Sequence, residues 1–252
     1  MMNTHDYPSF KTQSGYLTDT IRNKYLSAAI EDKLLPVNAD RIDFIVSLNA
    51  SKEPSRPIQF WQLFSVLGAQ RILAIMRRFY ERVYNDEQWF KSVFVRVASK
   101  ERHIQTQAAM WMDVMGGGHQ YHGGEFRLNF HHTHNAMELM NEKGAERWIS
   151  LMVKTLNEPD LDLTDDTRVR PAINTFLNFF MNKYATDFKF ENRSSFGETN
   201  PRLLRRVNFM NMSSDAVEAL EDEVLRHELE ARGIDVNAFK DRQALVNKAL
   251  SL

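Results

Sequence analysis

Histidine is the residue type here with the widest chemical reach, because a neutral imidazole can anchor one nitrogen and offer the other to a metal or a proton. Five of the chain's eight histidines fall in one short stretch: His119, His122, His131, His132 and His134. His5, His103 and His227 are scattered. His131 and His134 stand three apart and share a helical face. With a carboxylate such as Glu125 or Glu138 they could begin a zinc site, but such a site needs three or four converging ligands. Spacing alone favours a histidine-rich surface of loop and helix, with the two-histidine metal site as the alternative.

Composition narrows the chemistry. The 252 residues contain no cysteine, which excludes disulfides, thiolate nucleophiles, Fe–S clusters and cysteine zinc sites. A net charge of -1 gives no general attraction to nucleic acid or anionic membrane. No run of about 18 apolar residues is present, so no membrane span is expected. The polar N-terminus lacks the apolar stretch of a secretory signal. A soluble, cytoplasmic protein is expected.

The elements that must position the histidines read as helices. Glycine and proline are sparse, at 10 and 7 residues, and helical periodicity dominates. Residues 64–84 place Leu67, Ile72, Ile75, Phe79 and Val83 on one face, opposite Arg77, Arg78 and Arg82. Further helices are expected over 100–115, ended by three glycines, and over 128–140, 146–156 and 165–184. Short amphipathic stretches cover 21–35 and 42–48. The predicted architecture is all-α, with an N-terminal helical extension (1–57), a central block (58–187), and a linker with C-terminal helices (188–252). The C-terminal helices are expected over 216–232 and 241–250, split at Gly233.

Five ordered segments of the central block carry a more specific pattern. They are VLGA from Val66 with Ile72 and Ile75; RFYERVYND from Arg78; GGGHQY from Gly116; HNAMEL from His134; and Trp148. Together these make the block resemble the truncated haemoglobins, most closely the second group. In that family an RFY helix, a GGPxxY loop and an HxxFxI segment follow in this order, and the interval from Tyr121 to His134 matches. Gly118 stands in place of the usual proline, and the interval from His134 to Trp148 is one residue longer.

The resemblance implies a truncated-globin helical sandwich holding haem b. His134 is the implied iron ligand, its other ring nitrogen held by a backbone carbonyl. His131 and His132 are rival ligands, and Met137 is expected beneath the porphyrin. Above it, Tyr80 matches the tyrosine that donates to an iron-bound ligand. His103 and Gln107, four apart, hold the two nearest distal-helix positions, with His103 also a candidate second ligand to iron. Trp148 would add an indole N–H, and Phe94 would wedge the haem. Thr106 and Thr133 stand where the family often has arginine, which leaves Tyr121, Arg127 or Lys100 to meet the propionates. So polar a distal pocket suits a partly anionic bound gas.

The implied function is binding of dioxygen or nitric oxide. Nitric oxide dioxygenase or peroxidase turnover would require an external reductase, since no flavin or dinucleotide motif is visible. A haem-based sensor acting through the C-terminal helices and a haem-free interaction scaffold are the alternatives. From Leu225 to Leu250 the leucine spacing around Gly233 faintly resembles the SAP type of helix-extension-helix module. From Pro201 to Leu252 nine acidic residues stand against eight basic ones, so nucleic acid is not the expected partner. Packing against the globin or against a second subunit is expected instead. Leu203, Leu204 and Val207 beside Arg205 and Arg206 form a candidate interaction face.

Overall fold

The computed structural model describes residues 10–203 and 207–252. His5 and the Leu204–Arg206 part of the candidate interaction face lie outside the described residues. The described chain is helical, and it divides into two compact units. The first takes the described residues up to Asp32 together with Val37–Pro201; the second takes Lys33–Pro36 and Arg202–Leu252. The boundaries thus differ from the three-part division expected from sequence: most of the N-terminal extension and the stretch 188–201 belong with the globin-like block.

In the first unit, helix α1 (Thr18–Glu31) precedes a short α2 (Asp43–Val46). The long α3 (Phe64–Tyr84) follows, and it buries Leu67, Ile72, Ile75, Phe79 and Val83 as its periodicity requires. Helix α4 (Gln88–Val97), α5 (Lys100–Val114), α6 (Gly124–Phe130), α7 (Glu142–Leu156) and α8 (Val169–Phe188) complete it. Ser99 caps α5 by accepting from the Arg102 amide, and Asn141 caps α7 by accepting from Gly144. Helix α5 stops where expected. Gly116 has φ +92, and a Cβ on Gly117 would lie 2.6 Å from the Phe64 ring, so neither position tolerates a side chain.

The N-terminal arm is stitched to that helix end. Asp113, fully buried, accepts hydrogen bonds from the amides of Leu17 (2.9 Å), Tyr16 (3.1 Å) and Tyr121 (3.4 Å). Leu17 and Ile21 are buried behind it, and the Gln13 amide donates to Gly116. These contacts bury arm and helix end in one core, so the arm is part of the fold.

The second unit has its own small core. Helices α9 (Ser214–Glu218), α10 (Asp222–Glu230) and α11 (Arg242–Leu250) surround Val217, Leu225, Leu229, Val236 and Leu245. The single helix expected over 216–232 is broken, because residues 219–221 leave helical hydrogen bonding before α10 begins. No described helix is long and apolar enough to cross a membrane.

Candidate functional site

A cavity of about 390 Å³ lies inside the first unit, walled by α3, α4 and α5 on one side and by α6, α7, α8 and the turn after α6 on the other. Its walls are mostly apolar and aromatic, including Phe90, Phe94, Leu139, Phe176 and Phe180. Most of the polar groups lining it arrive from two opposite directions.

From α3 and α5 come Tyr80, His103 and Gln107. The Tyr80 hydroxyl donates to Gln107 Oε1 at 2.6 Å, which leaves the amide NH₂ as the remaining donor of that pair. Burial raises the Tyr80 pKa, so the phenol stays protonated and a donor. His103 is buried and stacks on the Tyr80 ring at 5.3 Å. Its Nε2 donates to the Phe94 carbonyl at 3.0 Å, and burial lowers its pKa. As the ring stands, Nδ1 is its open nitrogen; binding through Nε2 would require that hydrogen bond to break. Phe94 packs edge-on against both rings. Trp148 enters from α7 and packs against Phe79 at a tilt, and its indole N–H has no acceptor among the described residues.

The opposite direction is where structure and sequence reading differ most. After α6 the helix widens into a π turn, His131–Asn135, in which the Ala136 amide reaches back to the His131 carbonyl. This wide turn carries His131 and His132 to the cavity wall and leaves His134 outside it. His134 is exposed: it stacks on the exposed Phe130 at 4.2 Å, and its Nδ1 lies 2.8 Å from the Thr133 hydroxyl. Met137 is likewise outside, 61% exposed, and not beneath the cavity.

His132 has the geometry expected of His134. Its Nδ1 donates to the Leu128 carbonyl at 2.8 Å, which fixes the ring and leaves Nε2 as the unprotonated nitrogen. Burial lowers its pKa to about 3, so the ring is neutral and able to ligate. Tyr184 of α8 supports it at a ring distance of 4.2 Å. His131 also lines the cavity, but among the described residues no hydrogen bond orients its ring. The signal for His132 was present: Leu128 is a buried apolar residue four positions earlier, so position 132 shares its inward face. Spacing from Tyr121 hid this, because the π turn shifts the register.

At the rim, Tyr121 is buried with the Arg127 guanidinium 4.7 Å above its ring, and Arg127 and Arg102 both line the cavity with no acidic partner among the described residues. Thr106 lines it as well. Lys100 is paired with Glu81 at 2.7 Å, and the Thr133 hydroxyl donates to Asn129, so neither faces the cavity. Arg102 is the rim cation the sequence reading missed.

Comparison with known proteins agrees with this architecture. Residues 62–182 match the family of bacterial-like globins. The chain is 31% identical over 119 residues to group 2 truncated hemoglobin 3-1 of Lotus japonicus, covering 47% of this chain and 66% of that protein. It is 34% identical over 109 residues to two-on-two hemoglobin-3 of Arabidopsis thaliana, covering 43% of this chain and 61% of that protein. The chain thus spans less than two thirds of the length of these relatives. An all-helical block around an aromatic cavity, a matching family model and two hemoglobin relatives agree that residues 62–182 have a truncated-globin fold.

Proposed function

We propose that this domain holds haem b through His132 and binds dioxygen or nitric oxide on the side facing Gln107, Tyr80 and Trp148. The observation that carries the reading is the His132 ring, half-buried, neutral and anchored through Nδ1 so that Nε2 is available within an aromatic cavity. The residues present fit the group: flat apolar walls suit a porphyrin, and Arg102, Arg127 and Tyr121 at the rim suit its carboxylates.

When bound, haem supplies an iron that takes a diatomic ligand in its ferrous state. The chain's own residues do the rest. His132 holds, and Leu128 orients it. The Gln107 amide, set by Tyr80, and the Trp148 indole present N–H donors to a ligand carrying partial negative charge. His103 keeps its proton on Phe94 and closes the wall with its ring face. Turnover as a nitric oxide dioxygenase would draw electrons from a separate reductase.

Titration of the purified chain with haemin tests this. The wild type and His134→Ala are expected to give a Soret band and to retain haem through gel filtration, whereas His132→Ala loses it. His131→Ala separates the two inward histidines and is expected to retain haem. Loss in His134→Ala with retention in His132→Ala would overturn the assignment, and no uptake by the wild type would overturn the haem reading itself.

A further inference from the structure

Residues 190–200 lie beyond the segment that matches the globin family, and by composition they read as a polar linker. In the structure they are docked on the first unit instead. Phe190 lines the cavity, and Phe196 is 1% exposed, with its ring edge-to-face on Trp148 at 5.9 Å and 80°. Phe79 holds the indole from another side at 4.9 Å. The indole is thus gripped between a globin helix and a segment from outside the globin domain.

The docking is anchored by polar side chains of α8. Asn174 and Thr175 are both buried on that helix. Asn174 Nδ2 donates to the Glu198 carbonyl at 2.7 Å, and Thr175 Oγ1 accepts from the Asn200 amide at 2.8 Å. The Asn200 side chain in turn donates to the Ile58 carbonyl at 2.9 Å. Gly197, at φ +109, makes the turn that lets Phe196 point inward while Glu198 meets Asn174. A linker with no structural task would not satisfy three buried polar groups and bury a phenylalanine.

We propose that residues 190–200 form a strap over the gas pocket, in which Phe196 is the positioning residue for the Trp148 indole and thereby sets how long a bound gas is retained. This rests on the haem reading above for its consequence, though the grip on the indole does not. The perpendicular packing of the Phe196 ring on the indole fixes the rotamer that points the N–H, an effect lost when the ring is removed.

The test uses the full chain with Phe196→Ala, and Phe196→Leu to keep the volume while removing the ring edge. The first measurement needs no haem. The Trp148 indole N–H resonance, identified by its loss in Trp148→Phe, is expected to shift and broaden in Phe196→Ala and to move less in Phe196→Leu, with helical content unchanged. In the haem-loaded protein, dioxygen dissociation is expected to quicken about five-fold in Phe196→Ala, and to show no further change when Phe196→Ala is added to Trp148→Phe. An unmoved indole resonance in both variants would sink the proposal. So would an off-rate effect that persists in the Trp148→Phe background, since that would mean general loosening. If the chain takes up no haemin, the haem reading fails, and the resonance alone decides the grip on the indole.

Discussion

Tyr80 and Gln107 invite a prediction in which the obvious donor is not the important one. The Tyr80 hydroxyl is already bonded to Gln107 Oε1 at 2.6 Å, so the group it presents to the pocket is the amide it orients. A hydrogen bond to a charged partner is worth about 1.5–3 kcal/mol, and about 1.4 kcal/mol is tenfold in a rate or equilibrium constant. Gln107→Leu, which deletes that donor, should speed dioxygen dissociation by about 10- to 150-fold. Tyr80→Phe leaves the amide in place but unfixed. Losing one neutral hydrogen bond of about 0.5–1.5 kcal/mol should quicken release only about two- to tenfold. Because the phenol acts through the amide, Tyr80→Phe should add nothing in the Gln107→Leu background. Stopped-flow displacement of dioxygen by excess carbon monoxide reads all four proteins of the cycle. A Tyr80→Phe effect as large as that of Gln107→Leu, or additive with it, refutes the reasoning and makes the phenol itself the donor.

Further outcomes follow from the packing. Asp113→Ala leaves the Leu17, Tyr16 and Tyr121 amides without their acceptor and should cost about 2–4 kcal/mol, read as a lower urea midpoint of the haem-free chain. Gly117→Ala drives a methyl into the Phe64 ring and the Met112 carbonyl, and should lower the melting temperature of the first unit. Leu229→Ala empties part of the core between α10 and α11 at a cost of about 2–5 kcal/mol, and should melt the C-terminal unit while leaving haem uptake unchanged. The pH dependence has a fixed sign. His132 titrates near 6.5 when unfolded but at about 3 in the native chain, so its contribution is intact above pH 6.5 and drains away as pH falls toward 3. His103 and His131 shift in the same direction. The haem-free protein should therefore weaken steadily from pH 7 to 4 in urea unfolding, and His132→Phe should flatten that slope; an unchanged slope would rule out this imidazole as its source.

Much of the fold was legible because periodicity and burial agree. Helix α3 occupies the expected residues, and its inward face is the one that Leu67, Ile75 and Phe79 define. The glycine run ended α5 for reasons visible in sequence, since a positive φ and a close ring contact both exclude a Cβ. Helix α4 was missed: it is only ten residues long, and its buried positions reduce to Phe90 and Val93. The C-terminal break between α9 and α10 was missed because residues 219–221 contain no glycine or proline to mark it. In the site, Tyr80, Phe94, His103, Gln107, Tyr121 and Trp148 all reach one cavity, as their order along the family pattern implied. His134 and Met137, expected at the haem, lie outside the cavity, one within the π turn and one just after it.

That turn explains why motif spacing and the cavity lining point to different histidines. A regular α-helix continued from Leu128 keeps a constant step of about 100° per residue, so a one-residue alignment error changes which side chain faces inward. Here the segment holds three histidines within four positions, and each alignment of the loop after Tyr121 offers a different one. Residue type therefore cannot discriminate among them. What does discriminate is the anchor together with position: both His132 and His134 bring Nδ1 to the carbonyl four residues earlier, at 2.8 and 3.3 Å, but only His132 does so at the cavity wall. His131 lines the same wall without such an anchor among the described residues, and His134 directs its Nδ1 toward Thr133 and Phe130 at the surface. If the anchor is what selects the ligand, then Leu128→Pro, which leaves the carbonyl in place but disturbs its helix, should impair haem retention more than Leu128→Ala, which shortens only the side chain. Equal loss in the two would mean that apolar filling, and not the oriented carbonyl, makes His132 the ligand.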